Sequence, residues 1–154
     1  MLALAPLSLP DVYPGVRIVV PGPPVPKGRP RVTTRGGFAR AFTPAKTRRY
    51  EDLIRLKAAE HMELFTLPQL QGALSVKIRA FMQTPQAIAK HKAKGPLAET
   101  GELRPLTKPD VDNFAKVIDA LNGIVWRDDS QVVSLTVDKF YSSRPRLELT
   151  AVEL

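Results

Sequence analysis

Hydrophobic and polar positions follow three patterns along this chain, and each predicts a kind of element. Val16-Arg17-Ile18-Val19-Val20 is a short β-branched run and predicts a strand. Pro21-Gly22-Pro23-Pro24-Val25-Pro26 ends it, because proline offers a sheet no backbone donor. Residues 73–81 alternate apolar and polar with period two, the pattern of a half-buried strand. Residues 132–138 and 146–152 predict two more strands, joined through Ser142-Ser143-Arg144-Pro145 as an antiparallel pair. Helical spacing appears twice. Thr43-Pro44 opens the first helix, with threonine at the N-cap and proline at the first helical position. Tyr50, Leu53, Ile54, Leu56, Lys57 and Ala58 carry it to about Leu64. The second helix runs from about Val111 to Asn122 and is stopped by Gly123.

The remaining stretches lack periodicity. Residues 27–43 form an arm centred on Gly36-Gly37, and its flanks at 31–34 and 38–42 can pair as a hairpin. Residues 83–109 predict a long polar connector, and a loop of that length inside one domain is usually functional or mobile. Residues 1–14 are apolar but broken by Pro6, Pro10 and Pro14. With no positively charged start and no small-residue cleavage site, they predict a loose N-terminal extension rather than a signal peptide. Residues 15–154 then form one domain. The order strand, arm, helix, strand, connector, helix, strand, strand predicts an α/β (α+β) fold, a mixed sheet of about five strands with two main helices.

Composition narrows the functional classes. The 154 residues fit one domain by the prior of roughly 100–200. A content of 44% hydrophobic and 25% charged residues excludes a wholly disordered chain. Cysteine is absent, which excludes disulfides, thiolate metal sites and a cysteine nucleophile. Two scattered histidines, His61 and His91, argue against a histidine-built zinc site. No apolar run approaches the ~18 residues of a membrane span, so a cytoplasmic protein is expected. The formal net charge of +8 and the isoelectric point near 10.0 favour a polyanionic partner, either nucleic acid or an anionic membrane surface.

The basic excess is concentrated. Between Val12 and Tyr50 there is no acidic residue, while Arg17, Lys27, Arg29, Arg31, Arg35, Arg40, Lys46, Arg48 and Arg49 all fall there. A long single-signed run reads as a phosphate-binding surface more readily than as a solubilising loop. Lys90, His91, Lys92 and Lys94 are less specific and fit a flexible lysine-rich connector equally well. His61 reads as structural or exposed. Trp126 reads first as a core anchor, with base stacking a lesser option.

The acidic residues cluster where the second helix begins. On a helical wheel Phe114, Val117, Ile118 and Leu121 share one face, and Asp112, Lys116 and Asp119 share the opposite one. Asp110 precedes the first turn, and Asp128-Asp129 sits where the chain enters the next strand. A helix start and a strand start can bring Asp110, Asp112 and Asp129 together. Converging carboxylates without histidine or cysteine are hard oxygen ligands suited to Mg²⁺ or Mn²⁺. The spacing alone also admits a plainer account: aspartates capping a helix, an i,i+4 surface pair between Asp112 and Lys116, and a turn at Asp128-Asp129. The basic character of the chain tips the balance, since carboxylates clustered in a polyanion-binding protein need a local use.

The segments Lys108-Pro109-Asp110-Val111-Asp112-Asn113, Lys116, Asp119-Ala120-Leu121-Asn122-Gly123 and Trp126-Arg127-Asp128-Asp129-Ser130-Gln131-Val132 together resemble the RusA family of Holliday-junction resolvases. Val25-Pro26-Lys27-Gly28-Arg29-Pro30-Arg31-Val32 and Thr43-Pro44-Ala45-Lys46-Thr47 resemble the N-terminal region of its phage and prophage members. The resemblance covers most of the chain after Pro14. It implies a homodimeric endonuclease domain of α/β character that uses Mg²⁺, or Mn²⁺, to nick two opposed strands of branched DNA at a four-way junction. Its essential acids match Asp110, Asp112 and Asp129, its important lysine matches Lys116, and Asp128 matches the less critical member of the acidic pair. One departure is visible. In the family the helical aspartate before Ala-Leu usually follows the lysine by four residues, whereas Asp119 follows Lys116 by three. Two other readings differ in class: a non-catalytic basic DNA- or RNA-binding protein, and a metal-dependent nuclease acting on flaps or RNA.

Overall fold

The computed structural model describes residues 15–28 and 30–154, so the expected N-terminal extension and Arg29 lie outside the described residues. In chain order the strands are β1 (Gly15–Pro21), β2 (Arg31–Thr33), β3 (Arg40–Phe42), β4 (Leu74–Gln83), β5 (Val132–Ser142) and β6 (Arg146–Glu153). The helices are α1 (Ala45–Leu64), α2 (Gln86–Ala89), α3 (Lys94–Thr100) and α4 (Val111–Ala115), with 3₁₀ turns at Lys116–Leu121 and Asp129–Gln131. The fold is the mixed α+β arrangement expected, but its strands divide. Four form a mixed sheet in the order β1-β6-β4-β5, and β2 and β3 pair separately as the hairpin of the arm.

Alternation sets the layers. Val16, Ile18 and Val20 of β1, Leu74, Val76, Ile78 and Ala80 of β4, and Leu147, Leu149 and Ala151 of β6 are buried on one face. They meet Tyr50, Ile54, Ala58 and Met62 of α1 and Phe114, Val117, Leu121 and Trp126 in one core cluster. Each buried aliphatic side chain contributes about 1.5–3 kcal/mol, which is what holds α1 and the 3₁₀ segment against the sheet. Arg17, Val19, Lys77, Arg79, Glu148 and Thr150 fall on the alternate positions and so on the outer face.

Four details differ from the sequence expectations. The last two strands do not pair with each other: β6 lies antiparallel between β1 and β4, and β5 runs parallel to β4 at the edge. The link at 143–145 is three residues, enough to reach about 10 Å, or two strand spacings, so the chain steps over β4. Pro145 O accepts from Gly22 N at 3.0 Å and fixes that step beside β1. The connector 83–109 holds two helices, α2 and α3, too short to carry a periodic signal. His91 Nδ1 accepts from Ala93 N at 3.2 Å and Lys94 N at 3.1 Å, so this histidine supports the start of α3.

The helix expected over 111–122 is α-helical only to Ala115 and then tightens to 3₁₀. Phe114, Val117 and Ala120 are buried at a spacing of three, which is the 3₁₀ repeat, while Ile118 is only half-buried. Finally, Pro44 rather than Thr43 stands at the N-cap of α1, with an extended ψ of 144°, and no side chain caps this helix. Among the described residues no helix is long and apolar enough to cross a membrane.

Candidate active site

The turn that leads into β5 is tied down before it presents any chemistry. Asp128 Oδ2 accepts from Ser130 N at 3.1 Å, and Gln131 Oε1 accepts from Arg127 N and Asp128 N at 2.9 and 3.1 Å. Gln131 Nε2 donates to Leu70 O and Gly72 O, both at 3.2 Å, anchoring the turn to the segment before β4. Hydrogen bonding from Ser130 holds the Asp128 carboxyl below its ordinary range. Asp128 is therefore a capping residue of this turn, whatever else it does.

Asp129, next in the chain, is aimed from the core. Its Oδ1 accepts from Asn122 Nδ2 at 3.0 Å, and Asn122 Oδ1 accepts from Trp126 Nε1 at 2.9 Å. Trp126 is 0% exposed. An indole N–H only donates, so it selects the oxygen of the Asn122 amide and turns the NH₂ outward to the carboxylate. Trp126 is thus a core anchor that also orients the site, and its burial leaves it no surface for base stacking.

Asp119, on the 3₁₀ segment, approaches the same place. Burial raises its carboxyl above the ordinary value, the nearby Asp129 carboxyl adds to this, and Lys27 opposes it. Lys27 Nζ lies 3.6 Å from Asp119 Oδ2 and 2.9 Å from Glu51 Oε1. The bond to Glu51 is the main cause of a Lys27 pKa above its usual value. Lys27 N also donates to Asn113 O at 3.0 Å. The base of the arm is therefore docked by backbone and side chain against α1, α4 and the 3₁₀ turn. Beneath it, burial pushes the Tyr50 phenol well above its ordinary range.

Asp110 is the N-cap of α4 without a side-chain capping bond, Asp112 lies in the first turn, and both are exposed. Lys139 on β5 holds the approach to them, donating to Thr107 O at 2.9 Å and Pro109 O at 3.0 Å. Lys116 does not form the i,i+4 pair with Asp112. Its Nζ donates to Asn113 Oδ1 at 3.4 Å, and among the described residues it meets no carboxylate. The structure thus joins Asp129 with Asp119 and Asn122, and among the described residues it gathers no group of three carboxylates or histidines as a ligand cluster. In chemical kind the donors fit a hard cation such as Mg²⁺ or Mn²⁺, being all oxygen, with two carboxylates in contact whose repulsion a cation relieves.

Outside the centre, Arg31, Arg35, Arg40, Lys46, Arg48 and Arg49 are all exposed, and none has a salt-bridge partner among the described residues. The hairpin reverses through Gly36 and Gly37, at φ of 86° and 80°, a left-handed pair that glycine adopts freely. Phe38 at 73% and Phe42 at 45% exposure stand among these cations. Sequence reasoning missed Glu51, Asn122 and Lys139. Glu51 carried one signal, as the first acid after the acid-free run. Asn122 carried only its place in the Asp119–Gly123 segment, and Lys139 carried none, since their roles depend on partners distant in sequence or on a buried indole.

Asp129, held from the core through Asn122 and Trp126, and Asp119 thus lie at the foot of an arm whose hairpin cations have no salt-bridge partner among the described residues. The chain belongs to the endodeoxyribonuclease RusA family, whose model matches residues 21–151. It is also similar to the uncharacterized protein YqaN of Bacillus subtilis (strain 168), with 40% identity over 142 residues that cover 90% of this chain and 96% of that protein.

Proposed function

We propose that the protein is a Mg²⁺- or Mn²⁺-dependent endodeoxyribonuclease that resolves four-way DNA junctions in recombination and repair. The observation that carries this reading is the relay from Trp126 through Asn122 to Asp129, which fixes a carboxylate beside Asp119 at the foot of the cationic arm. Acidic groups repel DNA, so holding them this way makes sense where a cation and a phosphate meet. Asp110, Asp112 and Asp129 would hold the metal, with Asp128 a further candidate ligand. Bound there, the metal supplies Lewis-acid activation of the phosphate and a lowered pKa for water.

The chain's own residues do the rest. Arg31, Arg35, Arg40, Lys46, Arg48 and Arg49, together with Arg29, draw in the backbone by counterion release, while Lys27 holds the base of the arm on Glu51. Asn122 keeps Asp129 from rotating. Lys116, which meets no carboxylate among the described residues, would offset charge that develops on the phosphate oxygens during attack. One centre cuts one strand, so paired cuts call for a homodimer whose two-fold axis matches that of the junction. A DNA substrate of this kind implies work in the cytoplasm.

The test is digestion of a labelled four-way junction, with and without Mg²⁺, beside flap, duplex and RNA substrates. Paired symmetric nicks that need Mg²⁺ are expected. Asp110→Asn, Asp112→Asn and Asp129→Asn should each abolish them while leaving junction binding intact or tighter, since each removes a ligand charge and a repulsion. Binding without cleavage under every condition would make the protein a non-catalytic binder, and faster cutting of flaps or RNA would change the substrate.

A further inference from the structure

The outer face of the sheet carries a second concentration of charge. Arg17 of β1, Thr150 of β6 and Lys77 of β4 are direct cross-strand neighbours, with Arg17 opposite Thr150 and Lys77 opposite Thr150. In the next row Val19, Glu148 and Arg79 stand in the same relation. Arg17, Lys77, Arg79, Glu148 and Thr150 line a hollow of about 80 Å³. Its one carboxylate is already engaged: Glu148 takes Arg146 at 2.9 Å and Arg79 at 3.6 Å. Arg17 and Lys77 have no acidic partner among the described residues.

Two like charges flanking one residue across a sheet repel each other, and nothing in the fold requires them there, since both are on the face away from the core. Strands two apart are separated by about 9.5 Å, so a long cationic side chain from each side can close over an anion seated on Thr150. The hydroxyl between them is a donor, and Glu148 screens one side without filling the space.

We propose that this hollow binds a backbone phosphate of nucleic acid, making the outer sheet face a contact surface separate from the arm and from the carboxylate centre. The inference rests on the proposed action on DNA. The centre with Asp119 and Asp129 belongs to the face of the sheet covered by α1, so the phosphate held here comes from another stretch of duplex. A branched substrate, whose arms diverge around the protein, offers such a stretch.

The test uses the full chain with Ca²⁺ in place of Mg²⁺, and follows binding of a fluorescent four-way junction by anisotropy across a salt series. Arg17→Ala with Lys77→Ala should weaken binding at least tenfold and flatten the slope of log K against log salt by about 0.9, the contribution of one phosphate contact. Arg17→Lys with Lys77→Arg should keep most of both. An unchanged thermal midpoint shows that the alanine pair is folded, and Thr150→Val provides a milder variant of the same site. Equal affinity and slope in the alanine pair overturn this inference alone if an Arg31→Ala, Arg40→Ala variant loses binding in the same assay. A shift in sedimentation of the alanine pair relative to the unaltered protein also overturns it, because the face then meets a second copy. No junction binding by the unaltered protein overturns both this inference and the proposed function.

Discussion

Lys27 is the cation of the arm whose loss should be felt in folding as much as in binding. Its ammonium sits 2.9 Å from Glu51 Oε1, and the two side chains are 27% and 11% exposed. After Lys27→Ala the Glu51 carboxylate keeps, among the described residues, only Arg55, at 3.9 Å and 43% exposed. Breaking a fully buried pair costs about 3–5 kcal/mol, because the remaining charge stays desolvated, whereas an exposed pair is worth about 0–1 kcal/mol. A nearly enclosed acid facing a quarter-exposed lysine falls between these, at about 2 kcal/mol. For a domain of this size that lowers the thermal midpoint by about 6–8 °C, at roughly 3–4 °C per kcal/mol.

Arg31→Ala and Arg40→Ala, on the exposed hairpin, should stay within about 0.5 kcal/mol of the starting protein. Calorimetry on the three variants, and on Lys27→Ala in a Glu51→Gln background, checks this. In that background the cost should shrink sharply, since no buried charge is stranded. The pH dependence has a definite sign. The folded-state pKa of Lys27 is raised, so its contribution is complete below the unfolded value of about 10.4 and is lost as pH rises through the folded value. A Lys27→Ala midpoint within 2 °C of the starting protein, well under the ~2 kcal/mol expected, would refute the pairing as a determinant of stability.

Three further outcomes are expected. Lys116→Ala should lower single-turnover junction cleavage by about 10²–10³-fold, Lys116→Arg should rescue it in part, and a loss under about threefold would return Lys116 to a structural role. Asn122→Ala should leave the Trp126 indole N–H without its acceptor, costing about 1–3 kcal/mol, and should raise the Mg²⁺ concentration for half-maximal cleavage about tenfold or more; an unchanged Mg²⁺ dependence would remove Asn122 from the positioning of Asp129. Burial lowers the His61 pKa, so stability should fall as pH drops below about 6.5, and His61→Gln should abolish that part of the fall in thermal scans between pH 7 and 5.

The readable parts of this fold are those governed by local rules. Val16, Ile18 and Val20, and Leu74 through Ala80, announce their strands because one face is buried and period two follows. Gly36 and Gly37 announce the hairpin because few other residues turn left-handed twice. The order of the strands was not readable in the same way. β5 and β6 have similar alternation, and only the reach of residues 143–145 across two strand spacings places β6 in the middle. The tightening after Ala115 was half readable. Phe114, Val117 and Ala120 already stand three apart in the sequence, but an alanine is a weak core signal beside Ile118.

That tightening bears directly on the candidate centre. At three residues per turn Lys116 and Asp119 lie one above the other, so the shorter spacing between them is absorbed by the change of helix rather than by a change of face. Asp119 then meets Asp129 and Lys27, and Lys27 meets Glu51, the residue at which the acid-free run ends. The first cation of the arm is thereby committed to fixing the arm's base, and the free cations begin beyond it. A variant that combines Lys27 with Arg31 mixes these two jobs: it loosens the arm from α1 and removes a phosphate contact at once. A fall in junction binding by Lys27→Ala therefore counts as phosphate contact only if Glu51→Gln, which relieves the stranded charge without restoring a cation, fails to recover it.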